Sequence, residues 1–126
     1  MNKELNDKLN QLNNEDFIWL IYIGIIILSW YSNSLERKYY LFNNKSAKEK
    51  YQKIIILIFS ILVVVYYYFF NDSLKDFINL NNKDSSKKKE LITLSFLASI
   101  LILISGIILL YIALNNDDLV VELAFN

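Results

Sequence analysis

Ser60, Thr93, Ser95, Ser99 and Ser105 place hydroxyls within apolar sequence, where each could act as a nucleophile if a base stood beside it. Hydroxyl nucleophiles need such a base, usually histidine or a carboxylate relay, to take up their proton. The 126-residue chain has no histidine and no cysteine, and its 13 acidic residues all fall outside the apolar stretches that carry these hydroxyls. A helical hydroxyl without a base bonds the carbonyl one turn back, and that is the role expected of each of them. The same missing side chains exclude imidazole acid–base work, thiolate chemistry, disulfides and the usual zinc and haem ligands. The chain has only two glycines, Gly24 and Gly106, so it contains no glycine-rich phosphate loop. It is read as a non-enzyme with no metal, no cofactor and no small-molecule substrate.

The residues whose spacing does carry information are small ones. At 100° per residue, Ser95, Ser99, Gly106 and Ala113 fall within an arc of about 40° on one helix. Small side chains in line let a second backbone come close, and seven-residue steps favour left-handed packing. Gly24 offers a smaller notch of the same kind. These five positions form the expected helix-packing face, turned either to the chain's own helices or to another copy.

The elements that must position them are three stretches, 17–31, 54–70 and 91–114, without a single charged residue. A charge at the centre of a bilayer costs about 2.5–3.5 kcal/mol on insertion scales. A helix apolar around its whole circumference needs apolar surroundings on every side, and the Lys- and Asn-rich connectors do not supply them. The expected fold is an all-α integral membrane protein with three transmembrane helices, the first two forming a helical hairpin that extends beyond the bilayer.

Residues 1–16 form a polar N-terminal tail in which Leu5, Leu9 and Leu12 mark a weak amphipathic helix. Asn14, with Glu15 and Asp16 after it, reads as the N-cap of the first membrane helix. The first span covers 17–35 and stays helical to about residue 41, because Leu28, Tyr31, Leu35, Tyr39 and Phe42 continue one stripe. Residues 36–53 make a basic helical connector with a turn at Asn43, Asn44 and Lys45. Ser46 and Glu49 there match a capping box. The second span, 54–70, ends on the aromatic block of Tyr66, Tyr67, Tyr68, Phe69 and Phe70, expected at a membrane interface together with Trp19 and Trp30.

Residues 71–90 form the second connector, with Ser73 expected to cap a separate short helix. Lys87, Lys88 and Lys89 lead into the third span, where they oppose the helix dipole. Anionic headgroups are their expected partners, as they are for Lys53. The third span, 91–114, is stopped by Asn115, Asn116, Asp117 and Asp118, and an acidic-apolar tail, 115–126, follows.

The acidic N-terminal tail and the lack of a small-residue cleavage site argue that the first span is retained rather than removed as a signal peptide. Without a cysteine or a glycine at position 2, acylation is not expected. Orientation is contested. Lys3, Lys8, Lys75, Lys83, Lys87, Lys88 and Lys89 share one side of the membrane, against Arg37, Lys38, Lys45, Lys48, Lys50 and Lys53 on the other. Two helices and the acidic tail favour the N-terminus outside and the C-terminus inside.

Heavy use of Ile, Lys, Asn and Tyr points to an AT-rich bacterial genome, hence the bacterial cytoplasmic membrane. Zero net charge argues against nucleic acid as a partner. The expected partners are the lipid bilayer and either further copies of the chain or a larger membrane complex. The expected function is that of a small multi-pass accessory or regulatory membrane component acting through helix packing. In length, span number and orientation the whole chain resembles class I phage holins, which implies an oligomeric pore-former as the alternative. A bacteriocin-immunity-type membrane protein is a further reading.

Overall fold

The computed structural model describes residues 2–115, so the predicted stop at Asn116, Asp117 and Asp118 and the tail after Asn115 lie outside the described residues. Among the described residues the chain is all-helical: α1 (Lys3–Phe42), α2 (Lys45–Ile78) and α3 (Ser86–Asn115). All three are long and apolar enough to cross a membrane. At 1.5 Å per residue they measure about 60, 51 and 45 Å.

α1 starts twelve residues earlier than the periodicity predicts, and Asn2 rather than Asn14 is its N-cap. The Glu4 amide donates to Asn2 Oδ1 at 2.9 Å, closing one of the otherwise unpaired first-turn donors. Nothing between Lys3 and Asp16 breaks a helix. Asn13 and Asn14 cost only tenths of a kcal/mol each in a helix interior, so the amphipathic turns of the tail join the apolar span without interruption. The helix ends at Asn43, whose backbone turns left-handed at φ 50° and ψ 40°. Asparagine tolerates that conformation better than most residues other than glycine.

The link to α2 is only Asn43 and Asn44. Asn44 caps α2, accepting from the Ala47 amide at 3.1 Å, so Ser46 lies inside the first turn and the predicted capping box is not the device used. Asparagine and serine cap comparably. The left-handed Asn43 reverses the chain at once, and the residue that follows it is therefore the one placed to cap. α2 then runs unbroken through Asn71, Asp72 and Ser73 to Ile78, where a separate short helix was predicted. The stretch contains no glycine or proline, and Phe70, Leu74 and Phe77 extend its apolar stripe.

α2 is shared between two compact units. The first joins α1 to the turns of α2 up to Ile54. Leu35 of α1 and Ala47 and Tyr51 of α2 are buried here. Ser32 is fully buried and donates its hydroxyl to the Ser29 carbonyl at 2.8 Å. The second unit is the remainder of α2 from Ile55 together with α3, with Phe59 the most deeply buried side chain. Among the described residues every buried side-chain nitrogen or oxygen has a hydrogen-bond partner. That is required where hydroxyls sit among apolar groups.

Replacing Asn44 with alanine is expected to cost about 1 kcal/mol, whereas Ser46→Ala changes stability by a few tenths at most. Unfolding of the detergent-solubilised protein by a graded SDS titration compares the two. A larger loss for Ser46→Ala would return the cap to the serine.

Candidate functional site

In the second unit α2 and α3 pack as an antiparallel pair, and the two come close together at Gly106. A Cβ placed on Gly106 would lie 2.7 Å from Tyr66 Cδ2, 3.0 Å from Cε2 and 3.5 Å from Val63 Cγ2. No real side chain tolerates the shortest of these distances, so the Tyr66 ring lies where a Cβ at position 106 would press on it. Toward the other end of the pair, Phe77 stacks on Phe96 with ring centroids 4.9 Å apart and planes 23° apart. Phe70 stacks on the same Phe96 at 5.8 Å and 29°. Each such ring pair adds about 0.5–1.5 kcal/mol beyond its buried area.

These contacts fix the register. Each step of seven up α3 is matched by a step of seven down α2, so Ala113 falls level with Phe59 and Ser99 with Ser73. Ser99, Gly106 and Ala113 are the buried residues of α3. Phe96, Leu103 and Leu110, half-buried, alternate with them at steps of three and four. A seam repeating at 3.5 residues is that of left-handed helix packing. Gly106 on α3 receives the Tyr66 ring of α2, and Phe96 meets Phe70 and Phe77.

The predicted packing positions separate in the structure. Ser99, Gly106 and Ala113 are buried on this face, whereas Ser95, on the same face nearer the start of α3, is exposed. Gly24 is half-buried on α1, and a Cβ there would meet nothing within 4 Å. Two of the five hydroxyls are seen bonding their own helices: Ser99 Oγ donates to the Phe96 carbonyl and Ser60 Oγ to the Ile56 carbonyl, each at 2.7 Å. Tyr66, Val63, Phe70 and Phe77 are the partners that sequence reasoning did not single out; Tyr66 and Phe70 were read only as part of the aromatic block. Their signal was the step of three, four and seven from Val63 through Tyr66 and Phe70 to Phe77, hidden because neighbouring positions are aromatic as well.

Of the predicted headgroup-contacting lysines, Lys53 and Lys87 are exposed. Lys88 Nζ pairs with Asp84 Oδ1 at 3.0 Å, and Lys89 Nζ donates to the Asn82 carbonyl at 3.3 Å. Ser85 caps α3 by accepting from the Lys88 amide at 3.1 Å. The loop thus offsets part of the unfavourable placement of cations at a helix N-terminus. Asp84 also accepts from the Asn81 amide at 3.0 Å. That hydrogen bond first, and the one from Lys88 next, hold its carboxyl below the ordinary carboxylate range.

No protein family, curated protein or solved structure matches this chain.

Gly106→Ala is expected to destabilise the protein by about 1–3 kcal/mol through overpacking, while Gly24→Ala is neutral or gains up to about 1 kcal/mol in helix propensity. A double-mutant cycle with Tyr66→Ala checks the cause: the Gly106→Ala penalty should largely vanish when the ring is gone, and an unchanged penalty would place the strain elsewhere.

The Asp84 carboxyl is depressed on folding, so its bracing of the loop is complete above the ordinary carboxylate range and is lost as the pH falls through its lowered value. NMR titration of the Asn81 amide should accordingly give a midpoint below that of an ordinary aspartate, and Asp84→Asn should abolish that transition. A midpoint at or above the ordinary value refutes the brace.

Proposed function

We propose that this protein is a multi-pass integral protein of a bacterial cytoplasmic membrane. In this reading it acts without catalysis, through helix–helix packing, as an accessory or regulatory component of a membrane assembly. The observation that carries the reading is how little of α3 the protein itself covers. Its buried positions are all small, and only 17% of its most apolar window is buried. Leu94, Leu101, Ile104, Ile108 and Tyr111 remain exposed, as do Trp19, Ile26, Ile27 and Trp30 on α1. Apolar surface on this scale calls for lipid or partner helices around it. Helices that satisfy their own backbone hydrogen bonds are the elements able to enter lipid.

On this reading the three helices span, and the parts of α1 and α2 next to their link form a hairpin reaching beyond the bilayer. The basic residues from Arg37 to Lys53 favour the cytoplasmic side for that link, which puts the N-terminus outside and the C-terminus inside.

Induced expression in a bacterial host tests the proposal. The protein should resist alkaline washing, dissolve only in detergent and leave the membrane potential, followed with a potential-sensitive dye, unchanged over the induction. Abrupt collapse of the potential would replace the accessory role with an oligomeric pore, and release by alkaline washing would remove the membrane reading itself.

A further inference from the structure

Between the last turns of α1 and the first turns of α2, within the first unit, lies an open cleft of about 370 Å³ lined by Tyr39, Asn43, Lys45, Lys48, Glu49 and Gln52. Its lining carries two ammonium groups against one carboxylate, with amide and phenol groups between them. Lys48 Nζ stands over the Tyr39 ring, 5.6 Å from the centroid. A cation held over an aromatic face is directed by the ring as well as by its own flexible stem, so this charge is positioned at the cleft wall. Lys45, one turn earlier, is exposed.

The surroundings are cationic too. From Glu36 to Lys53 the chain carries Arg37, Lys38, Lys45, Lys48, Lys50 and Lys53 against Glu36 and Glu49. The charge-free run of α2 begins at Ile54, two residues after Gln52. The cleft therefore runs from the edge of the apolar stretch into the hairpin beyond it, and Lys48, six residues or about 9 Å before Ile54, lies near the depth of lipid phosphates if α2 spans. Basic pockets between helices at that depth suit anionic headgroups. A compact ammonium pairs with phosphate as a point charge.

We propose that this cleft binds the phosphate of an anionic phospholipid headgroup, with Lys45 and Lys48 supplying the charge and Tyr39 and Asn43 offering hydrogen bonds. The proposal rests on the membrane reading and concerns a place distinct from Lys87, Lys88 and Lys89. Phosphate chemistry alone would fit a free anion equally. The adjoining apolar run, along which acyl chains can lie, favours the lipid.

The test uses the full chain in nanodiscs made of equal parts phosphatidylglycerol and phosphatidylcholine, with retained lipid counted by native mass spectrometry after gentle extraction. Wild type should retain phosphatidylglycerol preferentially. Lys45→Gln with Lys48→Gln should reduce that preference about thirtyfold, the scale expected for removing two near-surface cations. Lys38→Gln with Lys50→Gln removes the same charge from the same connector outside the cleft lining and should leave the preference intact. Circular dichroism confirms that both double variants keep their helices.

Equal loss in the two double variants would overturn the site in favour of a diffuse basic field. Displacement of the lipid by millimolar inorganic phosphate would overturn the lipid as occupant. Incorporation into discs without any lipid preference removes the cleft proposal alone, whereas failure to incorporate removes the membrane reading and the cleft together.

Discussion

The absence of a side chain at Gly106 is the constraint on which the second unit depends. Because the Tyr66 ring passes within 2.7 Å of where a Cβ would be, α2 and α3 approach closely there, and their register is fixed. Once that pair is set, helical geometry places Phe59 level with Ala113 and brings Phe77 onto Phe96. A shift of one residue would turn these positions away by about 100°, bringing larger side chains against the Tyr66 ring. Gly106 acts as a socket on α3, and the Tyr66 ring of α2 fills it.

The ends of the helices are governed by a different set of interactions. Asn2, Asn44 and Ser85 each accept a first-turn amide at the start of a helix, and Asn43 takes the left-handed conformation that ends α1. No proline takes part, and neither glycine lies at a helix end. The long helices are interrupted only where asparagine and serine side chains compete successfully for backbone groups. Asp84 combines two tasks in the second link, bracing the loop through Asn81 and pairing with Lys88. The cations that open α3 are thus partly accommodated by their own loop.

Two kinds of surface remain outside these contacts. One is the apolar exterior of α1 and α3, with Trp19, Trp30 and Tyr111 well exposed. The other is the basic cleft beside the first link, where Lys48 stands over Tyr39. The proposed functions take up both: the exterior is a surface for lipid or partner helices, and the cleft is a place for a charged headgroup at its edge. Neither calls on the hydroxyls, since Ser32, Ser60 and Ser99 are already bonded to their own helices.

By itself the sequence determined that the described chain is helical and where its three apolar stretches lie, because charge-free runs and periodic stripes are local properties. The alignment of Ser99, Gly106 and Ala113 was equally legible, since position around one helix depends only on spacing. Helix limits were less so: Asn14, Ser46 and Ser73 carry the same capping chemistry as Asn2, Asn44 and Ser85. Which residue caps depends on where the chain reverses. Only the tertiary structure decided that Tyr66, Val63, Phe70 and Phe77 belong to the packing seam, and that Ser95 and Gly24 do not carry the Gly106 contact. A face becomes a seam when another helix lies against it at a particular register, and that register is a relation between residues distant in the chain. The pairing of Lys48 with Tyr39 across the first link has the same origin, because no local pattern records which ring a lysine will meet.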